Sequence, residues 1–113
     1  MELARWLLAR GMRVDARAET DREGFGGHTA LFGCVVAQSL RMRDSDDFAR
    51  LLLDHGADPN ARVSLRKRLL YIGDELMHEY RDVTPLSWGE RFHEQSFVSR
   101  KAMRLIAKRG GIA

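Results

Sequence analysis

Residues 49–62 read ARLLLDHGADPNAR, and residues 4–17 read ARWLLARGMRVDAR, so that seven of the fourteen aligned positions are identical. A fainter third copy lies at residues 105–110. Repetition of this kind is the signature of an architecture built from one stacked unit, and it bears on the whole fold rather than on one site. The sequence therefore predicts successive copies of a single structural unit.

Each copy has the pattern of an amphipathic helix that ends at a glycine. In one copy Phe48, Leu51 and Leu52 fall at i, i+3 and i+4, which predicts a single apolar stripe along a helix. Ser45 and Ser99 are suited to cap the starts of two such helices. Glycine ends a helix at low cost because it adopts the left-handed conformation readily. The glycines at the predicted helix ends are Gly11, Gly56 and Gly110.

A second type of helix is predicted ahead of two of these copies. Thr29-Ala30-Leu31 and Thr84-Pro85-Leu86 each introduce an apolar segment, at residues 31–37 and 86–92. Pro85 suits a first helical turn, where its missing N–H is not needed. The repeating unit is therefore a turn, a helix, a loop, a second helix, a glycine and an extended tail.

With these motifs the chain resembles the ankyrin repeat family, whose units open on Thr-Pro-Leu-His and end on Gly-Ala-Asp-x-Asn-Ala. Gly56-Ala57-Asp58-Pro59-Asn60-Ala61 matches the ending, Asp82-Val83-Thr84-Pro85-Leu86 the opening, and Gly27-His28-Thr29-Ala30-Leu31 is a looser opening. The resemblance implies an all-α solenoid of stacked helix-turn-helix repeats with β-hairpin-like connecting loops. It also implies a short array, or the C-terminal part of a longer one.

One domain over residues 1–113 is expected, with a half repeat at 1–17, repeats at 27–62 and 82–111, and an inserted finger at 63–81. Gly11 and Gly56 are separated by 45 residues. This spacing is longer than the family's usual repeat length of about 33 residues. The usual His of the opening is Phe32 in one copy and Ser87 in the other. The hydrogen-bond network of that His is therefore expected to be absent.

The inserted finger is predicted to be an extended hairpin with a turn at Gly73-Asp74. A short helix over residues 65–72 is the alternative. Basic residues lie on the first arm and acidic residues beyond the turn, which favours either cross-strand charge pairing or direct contact with a partner.

Ankyrin-like stacks generally hold partners with their hairpin tips and with the concave face of the first helices, so the resemblance places binding there. Arg and Tyr are favoured interface residues. A first finger is predicted at residues 22–27, where Phe25 lies among glycines and is either a tip contact or a plug folded back onto the stack. The candidate partner-binding residues are Arg22, Phe25, Arg66, Arg68, Tyr71, Glu75 and Tyr80.

Composition adds little about function. The net charge is +3, most of the basic residues are arginine, and Cys34 is the single cysteine, so no internal disulfide can form. The longest apolar runs are far below the roughly 20 residues that span a bilayer. No secretory signal pattern is present at the N-terminus. A cytoplasmic location with no membrane association is the expectation.

Motifs for catalysis or metal binding do not emerge. The histidines and Cys34 form neither a Cys-x-x-Cys pair nor a His-Glu-x-x-His helix. Ser64 and Lys67 match Ser-x-x-Lys without its companion motifs. Cys34 and Trp88 are predicted to pack in the core, Trp88 against Phe92. No enzyme activity, metal or cofactor is expected.

The sequence thus predicts a non-catalytic module that binds a partner protein. The alternative is a basic binder of nucleic acid or of an acidic surface, which ranks second. It would use Arg62, Arg66, Lys67, Arg68 and Arg81. Since the first helix begins almost at Met1 without the helix that should precede it, self-association through this open end is a further hypothesis.

Overall fold

In the described part of the chain, two antiparallel strands lie between two pairs of helices. A computed structural model describes residues 13–37, 45–67 and 77–113. The elements in chain order are α1 (Ala30–Val35), α2 (Asp47–Asp54), β1 (Val63–Lys67), β2 (His78–Val83), α3 (Pro85–Arg91), a 3-10 turn (Gln95–Phe97) and α4 (Arg100–Lys108). Each first helix contacts its counterpart, α1 against α3, and each second helix does the same, α2 against α4. The helix-turn-helix units of the prediction are therefore present, and a two-stranded sheet accompanies them.

The predicted helix starts are confirmed for α3 and α4, whereas the N-cap of α2 is Asp46, which makes no side-chain capping bond, and the predicted Ser45 accepts the Asp47 N–H. Thr84 caps α3 by accepting a hydrogen bond from the Ser87 N–H, and Pro85 occupies the first turn. Ser99 caps α4 through the Ala102 N–H. The helix predicted at 31–37 ends earlier, at Val35, because the next residue leaves the helix and forms an isolated β-bridge.

The predicted glycine ends of α2 and α4 are also confirmed. Gly56 has φ +92° and Gly110 has φ +95°. After α2, the Gly56 N–H bonds to the Leu53 carbonyl and the Ala57 N–H to the Leu52 carbonyl, each at 3.0 Å. This pair of bonds is a Schellman motif, which satisfies the last carbonyls of the helix. The glycine predicted to end the first copy, Gly11, lies outside the described residues.

A hydrogen bond between neighbouring copies recurs at aligned positions. The Asp15 carboxylate accepts the Asp58 N–H at 3.0 Å. In the next copy the Asn60 side-chain oxygen accepts the Ile112 N–H at 2.8 Å. Asp15 aligns with Asn60, and Asp58 and Ile112 each lie two residues after the glycine that ends a helix. The same hydrogen bond therefore connects the extended tail of one copy to the extended tail of the next copy.

A second bond recurs within the connecting loops. Arg17 donates to the Gly27 carbonyl, and the aligned Arg62 donates to the Asp82 carbonyl, both at 3.2 Å. Both acceptors have a positive φ, +74° at Gly27 and +52° at Asp82. The backbone therefore makes the same turn ahead of α1 and ahead of α3.

The arms of the predicted finger pair as antiparallel strands. Val63 lies opposite Val83 and Leu65 opposite Tyr80, with a register shift between them. Residues 65–67 are strand, so the alternative of a helix beginning at residue 65 is wrong for this part. The remainder of that helix and the Gly73-Asp74 turn lie outside the described residues.

The core lies between the two helix pairs and extends onto the inner face of the hairpin. Cys34 is buried, as predicted, and burial raises the pKa of its thiol to about 12. Trp88 and Phe92 are also buried and pack edge to face with ring centroids 5.0 Å apart. The prediction that Trp88 belongs to the core is therefore confirmed.

Candidate functional site

A groove lies between the first helices, α1 and α3, and strand β1. Its volume is about 200 Å³. Its lining residues are His28, Phe32, Gly33, Val36, Leu65, Arg66, Lys67 and Trp88. The groove therefore combines apolar side chains from three elements with basic side chains from the hairpin.

The apolar part of the groove is held rigidly by the core. Phe32, Leu65 and Trp88 are largely buried and present only part of their surface. Tyr80 packs edge to face against Trp88 at a centroid distance of 4.9 Å. Since well-packed aromatic side chains rarely change rotamer, this surface is preformed.

Gly33 leaves the groove open on the α1 side. A Cβ atom built on this residue would meet no heavy atom within 4 Å. Glycine in a helix interior costs roughly 0.5–1 kcal/mol relative to alanine. The residue thus weakens α1 and adds no packing, but it leaves space at the groove.

Arg66, on the hairpin side of the groove, is fixed by the first finger. Its guanidinium forms ion pairs with Asp21 at 3.3 Å and Glu23 at 3.0 Å. It also lies over the Phe25 ring, 4.1 Å from the centroid. Glu79 faces Arg66 across the strands but pairs with Arg81 on its own strand at 3.2 Å. Among the residues described, the predicted cross-strand charge pairing is thus replaced by pairing between the two fingers.

The first finger is ordered by Asp21. The Asp21 carboxylate accepts the N–H groups of Phe25 and Glu23, both at 2.9 Å. The Phe25 N–H makes the largest contribution to lowering the pKa of Asp21. The finger is joined to β1 by the Gly26 N–H, which donates to the Ser64 carbonyl at 2.8 Å.

The structure places the candidate partner-binding residues in different environments. Arg66 lines the groove, and Arg22 is exposed in the first finger. Phe25 is only 4% exposed, so the plug alternative is supported and the tip contact is not. Tyr80 is 6% exposed and packs in the core, and its hydroxyl bonds to the His93 ring at 2.5 Å, so its choice as a surface contact is wrong. Arg68, Tyr71 and Glu75 lie outside the described residues.

Several groove residues are not among the candidate partner-binding residues predicted from the sequence. Lys67 is expected to bind only in the nucleic-acid alternative, His28 lies in the looser repeat opening, and Trp88 is predicted to pack in the core. The sequence does not distinguish Gly33 from Gly89 in α3, where a Cβ atom would come within 2.6 Å of Val35 and the glycine is needed for packing. The remaining lining residues are apolar, and apolar periodicity does not separate a groove wall from a core.

No group of three or more His, Cys, Asp or Glu side chains in the described part of the chain could hold a metal ion. Cys34 is buried away from charge, and its raised pKa keeps the thiol protonated near neutral pH. His78 and His93 stack with ring centroids 3.7 Å apart, which is a packing contact beside Tyr80.

The basic residues of the nucleic-acid alternative are mostly engaged with carboxylates. Arg62 pairs with Asp82 at 3.5 Å, and Arg66 and Arg81 form the ion pairs given above. Lys67 is exposed and forms no ion pair among the described residues, and Arg68 lies outside them. None of these contacts supports nucleic-acid binding.

A search of the described helices for a segment both long and apolar enough to cross a membrane found none.

Comparison with protein families gives a match over about a third of the chain. Residues 26–63 match the family model described as Ankyrin repeat. This stretch begins before α1, includes α2 and ends at the first residue of β1. Comparison with curated proteins and with solved structures gave no match.

Proposed function

Because the chain carries an ankyrin repeat at residues 26–63, we propose that it is a non-catalytic module that binds a partner protein in the groove between α1, α3 and β1. Ankyrin repeats are generally protein-protein interaction modules. The observation that carries the proposal is the groove itself, which has a preformed apolar interior and a basic margin. Concave sites of this composition are the usual places where proteins bind ligands.

The proposal includes a short solenoid. We assign a half repeat to residues 1–17, repeats to 27–62 and 82–111, and the inserted finger to 63–81. The recurrence of the Asp15 and Asn60 bonds at aligned positions supports this division. A cytoplasmic location is part of the proposal, supported by a lone cysteine that is buried as a thiol.

Two parts of the sequence hypothesis stay predictions. Self-association through the open N-terminal end rests on residues before 13, which lie outside the described part of the chain. Contact through the tip of the inserted finger rests on Arg68, Tyr71 and Glu75, which lie outside it as well. Neither is needed for binding in the groove.

A pair of substitutions tests the proposal. Gly33→Leu adds a side chain that fills the groove from open space. Ala107→Leu adds a similar side chain at an exposed position of α4, a helix that contributes no lining residue to the groove, and serves as the control. Circular dichroism and urea unfolding establish that both variants fold.

Affinity capture from a cell lysate, followed by mass spectrometry, then compares the two variants with the unchanged chain. Proteins captured by the unchanged chain and by Ala107→Leu should be lost with Gly33→Leu. Capture of the same proteins by all three chains would show that the groove is not the binding site.

A further inference from the structure

The interior of the groove is apolar, and its margin on the hairpin side is basic. Phe32, Leu65 and Trp88 form the apolar interior, while Arg66 and Lys67, consecutive residues of β1 whose side chains point to opposite faces of the strand, form the hairpin margin. No carboxylate of residues 13–37, 45–67 or 77–113 lines it. A ligand that fits must therefore carry apolar surface, and an anionic group beside it would be favoured over a cationic one.

The two basic residues have different roles. Arg66 is already paired with Asp21 and Glu23 and is held over the Phe25 ring, so its charge is largely balanced and its orientation is fixed. Lys67 is exposed at the end of β1 and forms no ion pair within the described part of the chain. Its partner across the strands is His78, not an acidic residue. Lys67 is therefore the cation that can pair with a ligand.

The size of the groove limits what can enter. An apolar cavity of about 150 Å³ accepts a benzene molecule, and this groove has a volume of about 200 Å³. One aromatic or branched aliphatic side chain fits, and a folded element does not. The open space above Gly33 gives such a side chain an approach from the α1 side.

Resting on the function proposed above, we infer that the groove binds a linear acidic segment of a partner protein. One bulky apolar side chain of that segment occupies the interior, and a neighbouring carboxylate pairs with the Lys67 ammonium. The apolar contact supplies most of the affinity, and the charge selects among partners and speeds association.

Selection from a display library of random linear peptides tests the inference without a known partner. Peptides are selected on the unchanged chain and then compared on Gly33→Leu, Lys67→Glu and Ala107→Leu. The selected peptides should share a bulky apolar residue with Asp or Glu close to it. Their affinity should fall at least about tenfold on Gly33→Leu and on Lys67→Glu, and stay unchanged on Ala107→Leu.

A charge exchange separates recognition from a structural effect of the substitution. A selected peptide whose acidic residues are changed to lysine should bind Lys67→Glu more tightly than it binds the unchanged chain. If the selected peptides bind Gly33→Leu less tightly but carry no acidic residue, the inferred preference for acidic segments is wrong. The same holds if they bind Lys67→Glu as tightly as the unchanged chain. In both cases binding in the groove itself is still supported. If no selected peptide depends on Gly33, both the specificity and the proposed groove function are wrong.

Discussion

Two threonines at the same position of the repeat show how one neighbouring residue determines hydrogen bonding. Thr84 is followed three residues later by Ser87, and the two side chains cap each other's backbone N–H groups. Thr29 is followed three residues later by Phe32, and its buried hydroxyl has no hydrogen-bond partner among the described residues. The hydrogen-bond network of the family's His is therefore absent at Thr29, as expected. At Thr84 the Ser87 side chain supplies part of that hydrogen bonding.

Replacing each threonine by valine should have unequal effects. Thr84→Val should lower the free energy of unfolding by about 1–3 kcal/mol, because the Ser87 N–H and the Ile112 carbonyl lose their partner. Thr29→Val removes a hydroxyl that is buried without a partner, so it should be neutral or slightly stabilising. Urea unfolding of the two variants measures the difference. Equal losses would contradict the assignment of bonds.

Cys34 gives a prediction about reactivity and pH. Burial raises the pKa of its thiol to about 12, from an ordinary value of 9.0. At pH 8 iodoacetamide should modify the native chain very slowly and the urea-unfolded chain quickly. Cys34 is the single cysteine, so one mass increment reports the reaction.

The same pKa shift fixes the sign of a stability change. Above pH 9 the unfolded chain ionises Cys34 while the folded chain does not, so stability is lost as the pH rises from there. Cys34→Ala should lose less stability than the unchanged chain over this range. Identical pH profiles would show that the thiol is not protected by folding.

At the scale of single elements, replacing a glycine by alanine should lower stability at a helix end and raise it in a helix interior. Gly56 has φ +92° after α2, where an L side chain costs roughly 1–2 kcal/mol. Gly33 lies inside α1 with open space around a Cβ, so alanine there should gain up to about 1 kcal/mol. Thermal unfolding of Gly56→Ala and Gly33→Ala measures both. A loss of stability in Gly33→Ala would mean that the glycine has a packing role in α1.

The elements could be predicted well where local chemistry determines them. Thr84 with Pro85 starts a helix and Gly56 ends one, because capping and left-handed glycine act within a few residues. The hairpin arms followed from strand-forming residues on both sides of a predicted turn. The early end of α1 at Val35 was not predictable, because it depends on a bridge between Val36 and Val98 that is distant in sequence.

The candidate site was less predictable than the elements, since it depends on where the hairpins lie. Aromatic and arginine residues were chosen as contacts by residue type, yet Phe25 and Tyr80 are buried. Phe25 is covered because the first finger packs on the second, which brings Arg66 and Arg81 over its ring. No local pattern indicates that docking. Arg66 was the predicted residue that the structure places at the groove.

At the scale of the whole molecule, the copies are joined along their tails as well as through the core. Arg109 after α4 pairs with Asp54 at the end of α2, at 2.8 Å. The Asn60 side chain donates to the Gly110 carbonyl at 3.0 Å and accepts from the Ile112 N–H at 2.8 Å. Asn60 thus satisfies one donor and one acceptor in the tail of the next copy.

Asn60 is the position at which this linkage can be tested. Asn60→Ala should lower the free energy of unfolding by about 1–2 kcal/mol, because two hydrogen bonds between copies are lost at once. Asn60→Asp keeps the acceptor but places a carboxylate beside the Gly110 carbonyl, so it should not restore the stability. The aligned Asp15 uses only acceptor atoms in its bonds to Asp58, and Asp15→Asn should therefore change stability by less than about 0.5 kcal/mol. Urea unfolding followed by circular dichroism measures all three; full stability in Asn60→Asp would show that the donor bond to Gly110 contributes nothing to the joining of the copies.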